Sequence, residues 1–188
     1  MEFNNPSLLI KDLNFGEDAK SKIGAGVEKL AKAVKSTLGA SGKCVIYEDA
    51  RGIPVITKDG VTVAESVVLY DPVENLGATL IKEAAKNTVR EAGDGTTTAT
   101  VLAESLLNTI NLPEYKDSAD RVLREGVKSG LAKINKYLDS VKIDVTDDKL
   151  SHVASISCNN DIELGSIIAE AYNQVGKDGV VLMESSET

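Results

Sequence analysis

The 188-residue chain has no tryptophan, and with two phenylalanines and five tyrosines its aromatic content is only 4%. A core therefore cannot be assembled around large rings and must be built from Ala, Val, Leu and Ile. Cysteine and histidine are almost as scarce: Cys44 and Cys158 stand far apart with no CxxC pair, and His152 is the single histidine. That excludes a disulfide framework and any zinc-ligand spacing. Both thiols read as buried small hydrophobes. His152, with no nucleophilic Ser or Cys context, reads as structural. No apolar run approaches the ~20 residues of a membrane span. Residues 1–14 lack a basic segment followed by an apolar one, so neither secretion nor a membrane partner is expected. Positive charge is short as well. With 21 Lys and Arg against 29 Asp and Glu, the formal net charge is -8, which argues against a nucleic-acid or anionic-lipid surface. Any phosphate ligand must be held by local donors and a metal.

What remains is a chain 42% hydrophobic and 27% charged, long enough for one good core or for one domain plus part of another. Ser7 to Phe15 alternates loosely and reads as a short strand ended by Gly16. From Glu17, the residues Ile23, Val27, Leu30, Ala31, Val34 and Leu38 recur at helical spacing, with Lys20, Lys22, Lys29, Lys32 and Lys35 on a solvated face, until Gly39 stops the helix. Lys43–Tyr47 and Pro54–Thr57 flank a glycine-ended turn and read as a β-hairpin. Asp59 precedes a helical stretch, Val61–Val68, and in isolation is an ordinary cap. A long helix follows Pro72, with Leu76, Leu80, Ile81, Ala84 and Ala85 as its apolar face. The next, Thr98–Ile110, carries Val101, Leu102, Leu106 and Ile110. Ser118–Leu138 reads as a further helix, in which Gly126 and Gly130 suggest close helix packing. From Val141 the character shifts: a helix start at Val145–Asp148, a polar turn over Ser155–Asp161, a helix over Ile162–Val175 and a terminal strand over Val180–Met183. The boundary between domains falls near residues 139–144.

The chain is organised around Ala92-Gly93-Asp94-Gly95-Thr96-Thr97-Thr98-Ala99-Thr100, a glycine-loosened bend between two helices. Such a bend points unpaired N–H groups and the positive end of a helix dipole at one spot, where a phosphate can sit. The threonines add hydroxyls, and Asp94 could hold a Mg²⁺ bridging to that phosphate. An Asp followed by threonines at a helix start is also what a plain N-cap looks like. No Gly-Lys-Ser/Thr follows, so this is not a Walker A loop. On these residues alone, cap and phosphate seat both stand.

Four segments in order carry a resemblance: Ser36-Thr37-Leu38-Gly39; Ile56-Thr57-Lys58-Asp59-Gly60-Val61-Thr62-Val63-Ala64; the bend itself on to Ala103; and Ile167–Ala171 followed by Val175-Gly176-Lys177-Asp178-Gly179-Val180. Together they closely resemble the N-terminal portion of a group I chaperonin subunit of the GroEL type, from about Lys11 to Met183. The fold this implies is mainly α. Residues 1–140 would be the first half of a multihelical equatorial ATP-binding domain with a β-hairpin, and 141–188 the start of a small α+β intermediate domain. The resemblance further implies an ATP-dependent, cytoplasmic protein-folding machine built as a homo-oligomeric ring, with ATP, Mg²⁺ and a monovalent cation such as K⁺ as cofactors. Thr37, Leu38, Gly39 and Ala40 would line the nucleotide, and the Lys58 carbonyl would approach the phosphates and the monovalent cation. Asp94 would bind Mg²⁺, while Gly95, Thr96, Thr97 and Thr98 would cradle the phosphates. Asp59 would place the attacking water as the catalytic carboxylate.

Ala40 stands where the family usually has Pro, which makes that loop less stiff, and Asn108–Asp120 departs from the family pattern. The apical domain and the returning halves of the other two domains are expected to be absent. Unfolded clients and a co-chaperonin lid would then need an apical domain supplied from elsewhere. The second reading is a truncated, non-hydrolysing module that joins or caps such rings. An unrelated Mg-dependent kinase or ATPase fits the bend but not the other three segments.

Overall fold

The computed structural model describes residues 13–39, 41–158, 160–176, 179–182 and 184, without the side chains of Asp147 and Asp148. The elements run α1 (Gly16–Lys35), β1 (Val45–Glu48), β2 (Pro54–Thr57), α2 (Gly60–Ser66), α3 (Pro72–Ala92), α4 (Thr96–Ile110), a 3-10 turn (Pro113–Tyr115), α5 (Asp120–Val141), α6 (Asp147–Ser157) and α7 (Ile162–Val175). The chain divides into two compact units, Met1–Leu123 and Arg124–Thr188, with the division inside α5. Mostly helical with one small two-stranded sheet, the structure has the fold class that the sequence led us to expect.

In the first unit α1, α2, α3 and α4 pack on a shared core of Val27, Leu30, Val34, Val63, Ala64, Ala78 and Ile81. Small residues let α1 and α3 cross closely. A Cβ added at Gly26 would lie 1.8 Å from the Glu74 carbonyl oxygen, and one at Gly77 would lie 2.2 Å from the Ile23 carbonyl oxygen. Ion pairs rim the crossing, Lys22–Asp71 at 3.4 Å and Lys29–Glu74 at 2.5 Å. Lys35 Nζ reaches both carboxylate oxygens of the buried Glu104 on α4, at 2.8 and 2.6 Å. Lys22, Lys29 and Lys35 of the lysine row therefore tie α1 to its neighbours, while Lys20 pairs within α1. β1 and β2 pair antiparallel with Ile46 opposite Ile56, both exposed. In the second unit α6 and α7 pack through Ala154, Ser155, Gly165 and Ala169. A Cβ at Gly165 would lie 2.2 Å from Ser155 Oγ.

Several expectations need correction. α1 ends at Lys35, not near Gly39, because Thr37 turns back and both its N–H and its hydroxyl donate to the Val34 carbonyl, at 3.1 and 2.8 Å. The leucine stripes are not the buried faces. Leu76 and Leu80 of α3 and Leu102 and Leu106 of α4 are exposed, while Val73, Gly77, Ala78, Ile81 and Ala85, and Thr96, Thr100 and Glu104, face inward. Added Cβ atoms at Gly126 and Gly130 meet nothing within 4 Å, so no close packing occurs there among the described residues. Ser155–Ser157 continue α6, and the turn begins at Cys158. Cys44 is exposed and Cys158 half-buried. Leu13–Phe15 and Val180–Leu182 are irregular backbone, while Ser7–Asp12 and Met183 lie outside the described residues. Among the described residues no helix is long and apolar enough to cross a membrane.

Candidate functional site

α3 stops at Gly93, whose left-handed φ of 78° directs its N–H to the Val89 carbonyl at 2.7 Å. Asp94 and Gly95 follow, and Gly95 at φ 99° turns the chain straight into α4. Three helices here begin under an aspartate, Asp59 capping α2, Asp71 α3 and Asp161 α7, whereas Phe15 before α1 and Thr146 before α6 make no side-chain cap bond. α4 begins without a side-chain cap. Asp94 Oδ1 instead accepts the N–H of Gly95 at 2.6 Å, in the loop and short of the helix. The first helical bond runs from the Ala99 N–H to the Gly95 carbonyl, 2.8 Å, so the amides of Thr96, Thr97 and Thr98 have no acceptor within α4. The capping alternative is thus not realised at Asp94, and the helix starts two residues before the expected Thr98. Thr96 is buried, Thr97 half-buried and Thr98 exposed.

Two other motif segments converge here. Gly60 packs so tightly that an added Cβ would lie 2.3 Å from Thr97 Oγ1 and 3.5 Å from Val34 Cγ1. Asp59 therefore sits one residue from a glycine that touches α4's first turn, and Val34 anchors Thr37 through the bonds given above. The loop after α1 is held by the Gly42 N–H on the Gly39 carbonyl at 2.9 Å and the Lys43 N–H on the Ser36 carbonyl at 2.7 Å. Gly39 is left-handed at φ 74°, and Leu38 is exposed. Lys58 is exposed next to Asp59 with no side-chain bond among the described residues, and Ala40 lies outside them.

Asp59 accepts from the Val61 N–H at 3.3 Å, the Thr62 N–H at 2.9 Å and the Thr62 hydroxyl at 2.5 Å. Partial burial works against its charged form, but the Thr62 hydroxyl and the two amides outweigh it, holding the carboxyl below its ordinary value. A carboxylate so stabilised is a poor proton acceptor and a good fixed acceptor for orienting a water.

Among the described residues no group of three or more His, Cys, Asp or Glu gathers, so there is no all-protein metal cage. Mg²⁺ is ordinarily held by one or two carboxylates together with waters and ligand phosphates. The exposed Asp94 beside unpaired amides fits that requirement. Grooves of about 320 Å³, along α1 and α4 at Lys35 and Glu104, and about 500 Å³, between α1, α4 and the start of α5, lie away from this corner. Sequence reasoning missed Glu104 and Lys82. The signal for Glu104 was the four-residue spacing of Thr96, Thr100 and Glu104, which marks one face of α4. Lys82 carried no signal, because its partners are backbone carbonyls.

The sequence model of the TCP-1/cpn60 chaperonin family matches residues 30–186. The chain belongs to that family. Among solved structures it resembles the chaperonin gp146 of bacteriophage EL 2 (Pseudomonas aeruginosa), determined in the presence of ATP-BeFx. In crystal form II the TM-score is 0.74 at 32% identity, over 85% of this chain and 28% of that one. In crystal form I the TM-score is 0.73 at the same identity and coverage. The chaperonin-family chain thus spans 28% of the length of gp146.

Proposed function

We propose that this chaperonin-family chain is the nucleotide-handling part of an ATP-dependent molecular chaperone that assists protein folding within a homo-oligomeric ring in the cytoplasm. The observation that carries the reading is the uncapped start of α4, with Asp94 on one side and Asp59 reaching it through the Gly60–Thr97 contact. Phosphoryl transfer needs positioning and charge neutralisation more than covalent help. The Thr96, Thr97 and Thr98 amides, reached through Gly95, bind phosphate oxygens in this reading, and Asp94 holds Mg²⁺. The metal, when bound, offsets phosphate charge. Thr37, Leu38, Gly39 and Ala40 line the nucleotide in this reading, and the Lys58 carbonyl faces the phosphates and a K⁺ ion. Asp59, held by three donors from its own helix and with acceptor capacity left on Oδ1, orients the attacking water.

The β1–β2 hairpin, with Ile46 and Ile56 exposed, offers its edge to a neighbouring subunit. Unfolded clients and a co-chaperonin lid are partners only where an apical domain is supplied. The exposed leucines of α3 and α4 favour a second reading, a non-hydrolysing module that joins chaperonin rings. One experiment addresses both. Asp94→Ala is expected to abolish Mg-dependent ATP affinity in calorimetry, and Asp59→Ala to spare affinity while lowering ATP turnover at least tenfold. Equal loss of binding in both variants would make Asp59 structural. Wild-type binding without turnover would favour the module.

A further inference from the structure

α2 carries Asp59 but has only seven residues, too few to hold a helix without help from its surroundings. Its start is fixed by Asp59's own bonds and by the Gly60–Thr97 contact. Its end is fixed from α3. Lys82 Nζ donates to the Val67 carbonyl and, at 3.4 Å, to the Glu65 carbonyl, both at the point where α2 runs out of internal N–H donors for its carbonyls. Asn75 Oδ1 accepts the Leu69 N–H at 2.9 Å just downstream. Burial lowers the Lys82 pKa, helped by the charge of Lys86 and opposed by Glu65, so the ammonium is kept in this half-buried place at a cost. A lysine that only solubilised α3 would extend into water. Lys82 turns inward and caps another helix's C-terminus, where a cation also meets the negative end of the dipole.

The same helix delivers Asp94, two residues after its last turn. α3 therefore holds both acids, Asp94 through its own C-terminus and Asp59 through the α2 carbonyls that Lys82 grips. We infer that Lys82 is a positioning residue that sets Asp59 against the phosphate seat by clamping the exit of α2. The inference deepens the ATPase reading and rests on it for its catalytic meaning, whereas the clamp itself does not depend on nucleotide.

The full chain carrying Lys82→Met keeps the apolar stem and loses the donor. Amide hydrogen exchange without nucleotide is expected to rise at least tenfold at Val63 and Ala64 while the cores of α1 and α3 keep wild-type protection. Unchanged exchange in α2, or a rise throughout the unit, would overturn the clamp. Mg-ADP affinity is expected to stay within twofold and single-turnover ATP hydrolysis to fall at least tenfold, with Lys82→Arg restoring most of it. Lys86→Met, which removes an exposed pair with Glu65 and a like charge near Lys82 but no bond to the carbonyls at the exit of α2, is expected to change neither. A parallel loss of Mg-ADP affinity would reduce Lys82 to general support of the fold, and unchanged turnover would end the positioning role. Wild-type protein that fails to bind Mg-ADP would refute the nucleotide reading and leave the exchange result to decide the clamp.

Discussion

At the scale of single residues, the corner where α2 meets α4 is governed by which carboxylates are already spoken for. Asp59 is bonded by α2's own amides and held below its ordinary pKa. Between that lowered value and the unfolded value of about 4, the unfolded chain binds more protons. Stability from Asp59 is therefore complete above about pH 4 and lost as pH falls through the folded value. Acid titration followed by the Thr62 amide resonance is expected to show this loss, and Asp59→Asn should flatten it. Glu104 is the other committed acid. Removing it by Glu104→Ala leaves Lys35 without its partner; because Lys35 is partly exposed, we expect a cost of about 2 kcal/mol in denaturant unfolding, not the larger figures of fully buried pairs. Asp94's place in the glycine-flanked bend was legible in the sequence, but Glu104's burial was not, because a glutamate in an apolar stretch is normally assigned to the solvent side.

At the scale of elements, backbone proximity divides the glycines into two classes. Gly26 and Gly77 sit where α1 and α3 nearly touch, so Gly26→Ala and Gly77→Ala should each destabilise by about 1–3 kcal/mol through overpacking. Gly130 lies on α5 with open space around it, so Gly130→Ala should stabilise by about 0.5–1 kcal/mol through helix propensity. Thermal melts of the three variants test the contrast, and equal shifts would contradict it. The sequence located these helices to within a few residues because their 3.6 periodicity is strong. It misjudged which face is inward on α3 and α4, because leucine was the louder signal, while the inward faces use Gly, Ala and Thr to bring backbones close. It also placed the glycine packing on α5 and not at Gly26 and Gly77. A glycine's neighbours cannot be read from the segment that contains it.

At the scale of the whole molecule, much apolar surface remains open. Val122, Leu131, Ile134 and Leu138 of α5 are more than half exposed, as is Leu102 of α4. Such stripes associate in water, so light scattering is expected to show concentration-dependent assembly, and a strictly monomeric chain would count against a subunit role. The family and the helical class were legible because four short segments keep their order and spacing. What they could not convey is that α3, which runs on to Asp94, also bonds through Lys82 to the end of the helix that Asp59 caps. The central claim is that the bare first turn of α4 and Asp94 form a seat for a Mg-bound nucleotide. It is tested most directly by amide resonance shifts during Mg-ADP titration. We predict shifts concentrated at Gly95, Thr96, Thr97 and Thr98 that vanish on adding EDTA or in Asp94→Ala. Shifts confined to the groove lined by Leu107, Asn111 and Tyr115, or no shifts at millimolar nucleotide, would contradict it.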